Sequence, residues 1–168
     1  MGTLFVMCPQ NSFLDPTGSV YMGEKAEILK TRLQDYLPHS TDKKIFFREK
    51  HAESDEFFSS DKTHSIVNTP EFQIESSLQK YIDMLIDTTR YSGFYDTGLD
   101  SLLKREKISA VTVIGLETHT TVLFTVEELR NRGLKVSLIE PLLASRDDFL
   151  HNTAISLMIN NLGVSLNA

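Results

Sequence analysis

Glu49 and His51 stand two residues apart where the apolar segment "KKIFF" (43–47) runs out into "REKHAE". Alternate residues of an extended chain project to the same side, so this carboxylate and imidazole share a face. His64, if the chain folds back, becomes a third ligand of a metal that keeps open positions for water. The competing reading is an exposed loop whose polar residues serve solubility. A second candidate lies in "AVTVIGLETHTTVLF" (110–124), where an apolar strand pattern turns polar at "ETHTT" and becomes apolar again at helical spacing. In an α/β protein a nucleophile would be sought at that turn. Here it holds Glu117, Thr118, His119, Thr120 and Thr121, with no cysteine and no serine. The only cysteine, Cys8, ends the apolar segment "TLFVMC" (3–8).

These residues need a frame that brings them together, and the patterning supplies one. Short apolar strands alternate with amphipathic helices, the signature of βαβ units and a mainly parallel sheet. Strands are expected at 3–8, 43–47, 81–89, 110–116, 134–140 and 164–167, which makes six. Helices are expected at 23–37 with Leu29, Leu33, Tyr36 and Leu37 inward, and at 97–106 with Leu99, Leu102 and Leu103 inward. Two more are expected: from the polar turn to about Arg132 with Val122, Val126 and Leu129 inward and Gly133 as the C-cap, and at 146–163 with Leu150, Ala154, Leu157 and Met158 inward. Residues 48–76 have no clear periodicity; a loop this long is uncommon in a compact domain, and its aromatic and apolar residues favour a functional one. Ligands of open α/β sheets bind beyond the carboxyl ends of the strands. Those ends carry Cys8; Arg48, Glu49 and His51; Thr88 and Arg90; and Glu117 to Thr121. In adjacent parallel strands these groups face one pocket, although each taken singly is equally readable as a cap or turn residue.

Composition excludes several classes. The 168 residues suit one domain over 1–168 with a core that needs no cross-links. A net charge of -6 with scattered Lys and Arg argues against nucleic acid as a partner. One cysteine allows neither an internal disulfide nor a Cys-x-x-Cys motif, in keeping with a reducing compartment. The opening "MGTLFVMCPQ" lacks a basic signal-peptide region, and no apolar run reaches membrane-spanning length. A cytoplasmic protein without membrane contact is expected.

Three stretches carry a family resemblance. "LFVMCPQNSF" looks like a first strand of the form apolar run then Asp-x-Gln-Asn-Asp-Phe. "REKHAESDEFF" with "THSIVNTPEF" resembles a metal region in which Asp-x-His precedes a His and a Gly-Thr-Pro-like turn. "RYSGFYDTGLDSLLKREKISAVTVIGLETHTTVLFTVEELRNRGLKVSLIE" resembles a C-terminal half running from Tyr-Ser-Ala/Gly-Phe through Gly-x-x-Thr-Asp-x-Cys. Together these resemble the isochorismatase-like cysteine hydrolases, nicotinamidase-related proteins in particular. The resemblance implies a single-domain three-layer αβα fold. It implies Glu49, His51 and His64 as ligands of a divalent metal such as zinc, with Glu in place of the usual Asp, and no organic cofactor. It places Phe13, Leu116, Glu117 and His119 around the substrate pocket, a cis bond between Leu116 and Glu117, and an oxyanion hole at the backbone N–H groups of Glu117 and Thr121.

The catalytic positions depart from the pattern. The family's Asp, Lys and nucleophilic Cys fall on Cys8, Thr88 and Thr121. A threonine hydroxyl is far less acidic than a thiol and needs a strong adjacent base, yet Cys8 occupies the place of that base. The resemblance with these substitutions implies a member without cysteine-amidase activity, which keeps a small-molecule or metal pocket that binds an amide-like ligand or a partner without turnover. The alternative is an active amide hydrolase with altered chemistry: Cys8 as a relocated thiolate with His119 or Glu117 as base, or metal-activated water. A third reading is a non-catalytic subunit, since family members assemble as dimers or tetramers and a homo-oligomer is expected. Arg90, near the vacated lysine position, is either a cation for an acidic ligand or a surface arginine. His39 and His151 read as surface residues.

Overall fold

The structure, a computed structural model, describes residues 2–58 and 63–167. Six parallel strands, β1 (Thr3–Met7), β2 (Lys43–Glu49), β3 (Met84–Thr88), β4 (Ala110–Leu116), β5 (Lys135–Ala144) and β6 (Ser165–Asn167), form one sheet in the order β3-β2-β1-β4-β5-β6. The helices are α1 (Asn11–Leu14), α2 (Glu24–Tyr36), α3 (Leu99–Arg105), α4 (Leu123–Asn131) and α5 (Asp148–Asn160). This is the expected αβα architecture with its mainly parallel, six-stranded sheet.

The central strand shows why the pattern folds this way. All five residues of β1 are buried, because a parallel strand covered on both faces has no solvated side. Phe5 and Met7 enter one core layer with Val113, Val126, Leu129 and Met158, whereas Leu4 and Val6 enter the other with Leu29, Leu33 and Leu37. Each such fully buried side chain contributes about 1.5–3 kcal/mol. Strand β4 reaches β1 closely at Gly115. That residue has φ +109, and a Cβ there would stand 2.2 Å from the Met7 carbonyl oxygen.

Several boundaries differ from expectation. Strand β3 starts at Met84 because Gln79–Tyr81 closes a 3-10 turn. Strand β2 continues to Glu49, so the carboxylate sits on the strand itself. Strand β5 runs on to Ala144, past a register shift opposite Val113 and Gly115 that accommodates Pro141, because proline cannot donate to a ladder. In α5, Ala154 and Met158 face inward as expected, but Leu150 and Leu157 are exposed. Ala154, Ile155 and Met158 centre the buried face, and the two leucines lie roughly a quarter-turn to its side. Tyr36 is half-buried. Among the described residues no helix is long and apolar enough to cross a membrane.

Candidate active and metal site

The chain winds outward from β1 through β2 to β3, then returns to place β4 on the other side of β1. Loops leave the carboxyl ends of β1 and β4 in opposite directions there, opening the crevice in which such sheets bind ligands. Cys8 follows β1, and the turn after β4 begins at Glu117.

Cys8 is fully buried, and its backbone N–H donates to the Phe47 carbonyl at 3.0 Å. Its φ of 45° puts it in the left-handed region, which Asn and Asp enter more readily than other side chains. Its thiol lies against the Thr121 hydroxyl and the Glu49 backbone; burial, and then the Glu49 carboxylate, push it well above its ordinary pKa. The Leu116–Glu117 peptide is cis. Thr118–Val122 forms a single π-helical turn ahead of α4, a feature frequent at functional sites. The Thr121 hydroxyl donates to the Leu116 carbonyl at 2.8 Å. Thr88 is buried in register with Glu49, and among the described residues its Oγ1 has no hydrogen-bond partner. Cys8 thus touches both Thr121 and Glu49, while Thr88 lies beside Glu49 by strand register.

Glu49, His51 and His64 are all buried, with donor atoms within 4.8 Å of one another. Alternation along the end of β2 brings Glu49 and His51 to one face. His64 comes back because the segment after His51 pairs with it: His51 N–H donates to the Ser65 carbonyl (3.2 Å) and Val67 N–H to the His51 carbonyl (2.9 Å). His64 Nε2 lies 2.7 Å from Glu49 Oε2, and His51 Nδ1 is 2.9 Å from the His64 carbonyl oxygen. Donation to that carbonyl puts the proton of a neutral His51 on Nδ1 and its lone pair on Nε2, the ligating form. Burial holds His51 below its ordinary pKa. One buried carboxylate with two buried imidazoles suits zinc and similar divalent ions. The donor set fits the metal.

Sequence reasoning missed three residues that hold this arrangement. Gln10 is fully buried; its amide accepts from the Glu49 N–H (2.7 Å) and donates to the carbonyls of Glu49 (2.9 Å) and Phe72 (2.9 Å). Ser65 shares a 2.7 Å hydrogen bond with Ser12, tying the His64 segment to α1. Arg146 grips the buried Glu117 carboxylate through Nε (2.9 Å) and Nη2 (2.8 Å), and its guanidinium stands 6.0 Å from the centre of the Phe13 ring. Phe13 also packs edge-on against His64 at 5.1 Å. The quoted "LFVMCPQNSF" contained Gln10 as a motif position, the one available signal.

The remaining expected residues divide. Leu116 is buried at the start of the turn. His119 is directed to Ser145, with Nδ1 3.0 Å from Oγ. His151 is not a surface residue: it is half-buried, its Nδ1 2.9 Å from the Thr118 hydroxyl oxygen. His39 is exposed. Of the long loop, residues 59–62 lie outside the described residues; the rest is held by bridges at His51–Ile66 and Gln10–Ile74.

The fold defines a single-domain α/β protein with its candidate site at a sheet switch point, and comparison with known proteins specifies the family. The family model "Isochorismatase domain" matches residues 4–167, so the chain belongs to the isochorismatase family. Among solved structures, nicotinamidase PncA from Bacillus subtilis superposes with a TM-score of 0.88 at 22% identity, over 99% of each chain. A pyrazinamidase of Pyrococcus horikoshii, solved in complex with zinc, gives 0.85 at 21% identity over 99% of this chain and 98% of that one. N-carbamoylsarcosine amidase from Thermoplasma acidophilum gives 0.82 at 20% identity, over 99% and 96%. At these identities the likeness is one of fold. No curated protein sequence matches the chain.

Proposed function

We propose that this isochorismatase-family protein does not carry out cysteine-dependent amide hydrolysis, and that its switch-point pocket binds a small amide-like molecule beside a divalent metal such as zinc. One observation carries the reading. Among the described residues no lysine and no aspartate is buried, and the only thiol follows β1 rather than sitting on the turn after β4. A thiolate nucleophile of the family type needs a carboxylate base to take its proton and a cation to favour its charge. The positions that the resemblance assigns to the triad carry Cys8, Thr88 and Thr121, and the Thr121 proton is already engaged by the Leu116 carbonyl. Glu49, His51 and His64 would hold the metal, which when bound supplies Lewis acidity. Phe13 offers a ring to a planar group, the Glu117–Arg146 pair fixes the turn above it, and Thr88 Oγ1 offers a hydrogen bond to a bound polar atom.

The test combines turnover with restoration. The wild-type protein is expected to show no hydrolysis of nicotinamide or related amides with zinc present. The triple variant Cys8→Asp, Thr88→Lys, Thr121→Cys is expected to gain it. A measurable wild-type rate sinks the proposal. If alkylating Cys8 abolishes that rate, the relocated thiolate is responsible; if only His64→Ala does so, metal-activated water is.

A further inference from the structure

Beyond the carboxyl end of β3 and beside the start of α4, an open hollow of about 320 Å³ is lined by Phe57, Arg90, Tyr91, Ser92, Tyr95 and Phe124. Three of its rings are conspicuously solvent-facing, with Phe57 48%, Tyr95 55% and Phe124 46% exposed. The rings are mutually arranged rather than scattered. Tyr91 stacks on Phe124 at 5.8 Å and 11° and meets Phe57 edge-on at 5.4 Å. Aromatic walls with a few polar groups are the usual lining of small-molecule sites, and leaving such rings in water forfeits their burial energy.

Arg90 sets the polarity. Its guanidinium lies 4.7 Å from the Phe57 ring centre and 5.5 Å from that of Tyr95. Only Nη1 is engaged, by Asp55 Oδ2 at 2.9 Å and by the Thr89 carbonyl. Among the described residues Nε and Nη2 make no hydrogen bond. These two nitrogens form the edge of the guanidinium that takes a carboxylate in paired, parallel hydrogen bonds. The Phe57 and Tyr95 rings already face one cation, so a second is disfavoured there, whereas an anion gains from the guanidinium.

We propose that this hollow is a binding site for a small planar aromatic carboxylate, its ring against the Tyr91, Tyr95 and Phe124 rings and its carboxylate on Nε and Nη2 of Arg90. None of the lining residues belongs to the cluster of Glu49, His51 and His64, and the proposal does not depend on the function proposed above. Benzoate serves as the probe, followed by amide NMR shifts and by tyrosine fluorescence, which is unobscured because the chain has no tryptophan. Benzoate is expected to bind saturably, at least about tenfold more tightly than benzyl alcohol or acetate, with shifts centred on Tyr91 and Ser92; Phe124→Ser and Arg90→Gln each weaken it by about tenfold. The proposal is overturned if benzoate does not saturate, if benzyl alcohol binds equally well, or if the shifts centre on Cys8 and His64. It is also overturned if sedimentation shows two chains paired through this surface and separated by Phe124→Ser.

Discussion

Strand β2 pairs with β1 as far as Met7 and Phe47, and two residues later the Gln10 side chain takes over, bonding both the N–H and the carbonyl of Glu49 as a neighbouring strand would. Replacing Gln10 by Ala leaves buried backbone groups unpaired, at a cost of about 1–3 kcal/mol. Urea denaturation of Gln10→Ala measures it, and an unchanged midpoint would remove Gln10 from the framework. His151 supplies a pH dependence. Burial is the main cause holding it below its ordinary value of 6.5; Glu140 and Asp148 pull it upward, and Lys25 and His119 push it down. The unfolded chain therefore takes up a proton before the folded one, so stability is full above about pH 6.5 and falls as pH drops toward the folded value. His151→Asn is expected to flatten that decline in stability curves recorded across mildly acidic pH. Glu49 with His51 was legible because strand alternation is local. Gln10 and Arg146 were not, because their partners Glu49 and Glu117 lie 39 and 29 residues away and meet them only through the fold.

Gly115 on β4 lies in register with Met7 of β1, the strand on the other side of the crevice, with no room for a side chain between them. A methyl group there would collide with the Met7 backbone, and the positive φ adds strain for any L side chain. Gly115→Ala is expected to prevent folding or to cost more than about 3 kcal/mol, read as loss of the cooperative thermal transition. Helix α5 is more forgiving. Its N-cap Asp147 accepts from the Leu150 N–H at 2.8 Å, and Asp147→Ala should cost about 1 kcal/mol in a chemical melt. This helix also marks where patterning ran out. It is apolar on more than its buried face, so periodicity could not separate Ala154 and Met158 from the exposed Leu150 and Leu157. The helices with one clear stripe, α3 and α4, matched expectation at Leu99, Leu102, Leu103, Val122, Val126 and Leu129. Gly133, with φ +79, follows α4 as its C-cap pattern required.

The whole sheet was readable because every strand but the last is an apolar run separated from the next by a helix or a long loop. The order of the strands emerged only from the coordinates. A metal bound by Glu49, His51 and His64 would couple the site to the stability of this entire unit. An ion that binds the folded chain alone, at a hundredfold excess over its dissociation constant, stabilises by about 2.7 kcal/mol. For a domain of this size that raises Tm by about 5–10 °C. Calorimetry with and without zinc is expected to show that rise, and Glu49→Gln and His64→Ala are expected to abolish it; an identical Tm under both conditions would contradict the metal assignment.

Strand β1 lies mid-sheet yet precedes both of its neighbours in the chain. On the ribosome, "TLFVM" can pair along one edge once Lys43–Glu49 has emerged, but its other edge stays open until Ala110–Leu116 is made. A nascent chain of this protein therefore carries a mostly apolar ribbon with one unsatisfied edge until residue 116 is made, which makes it a natural client for chaperones that shield such ribbons.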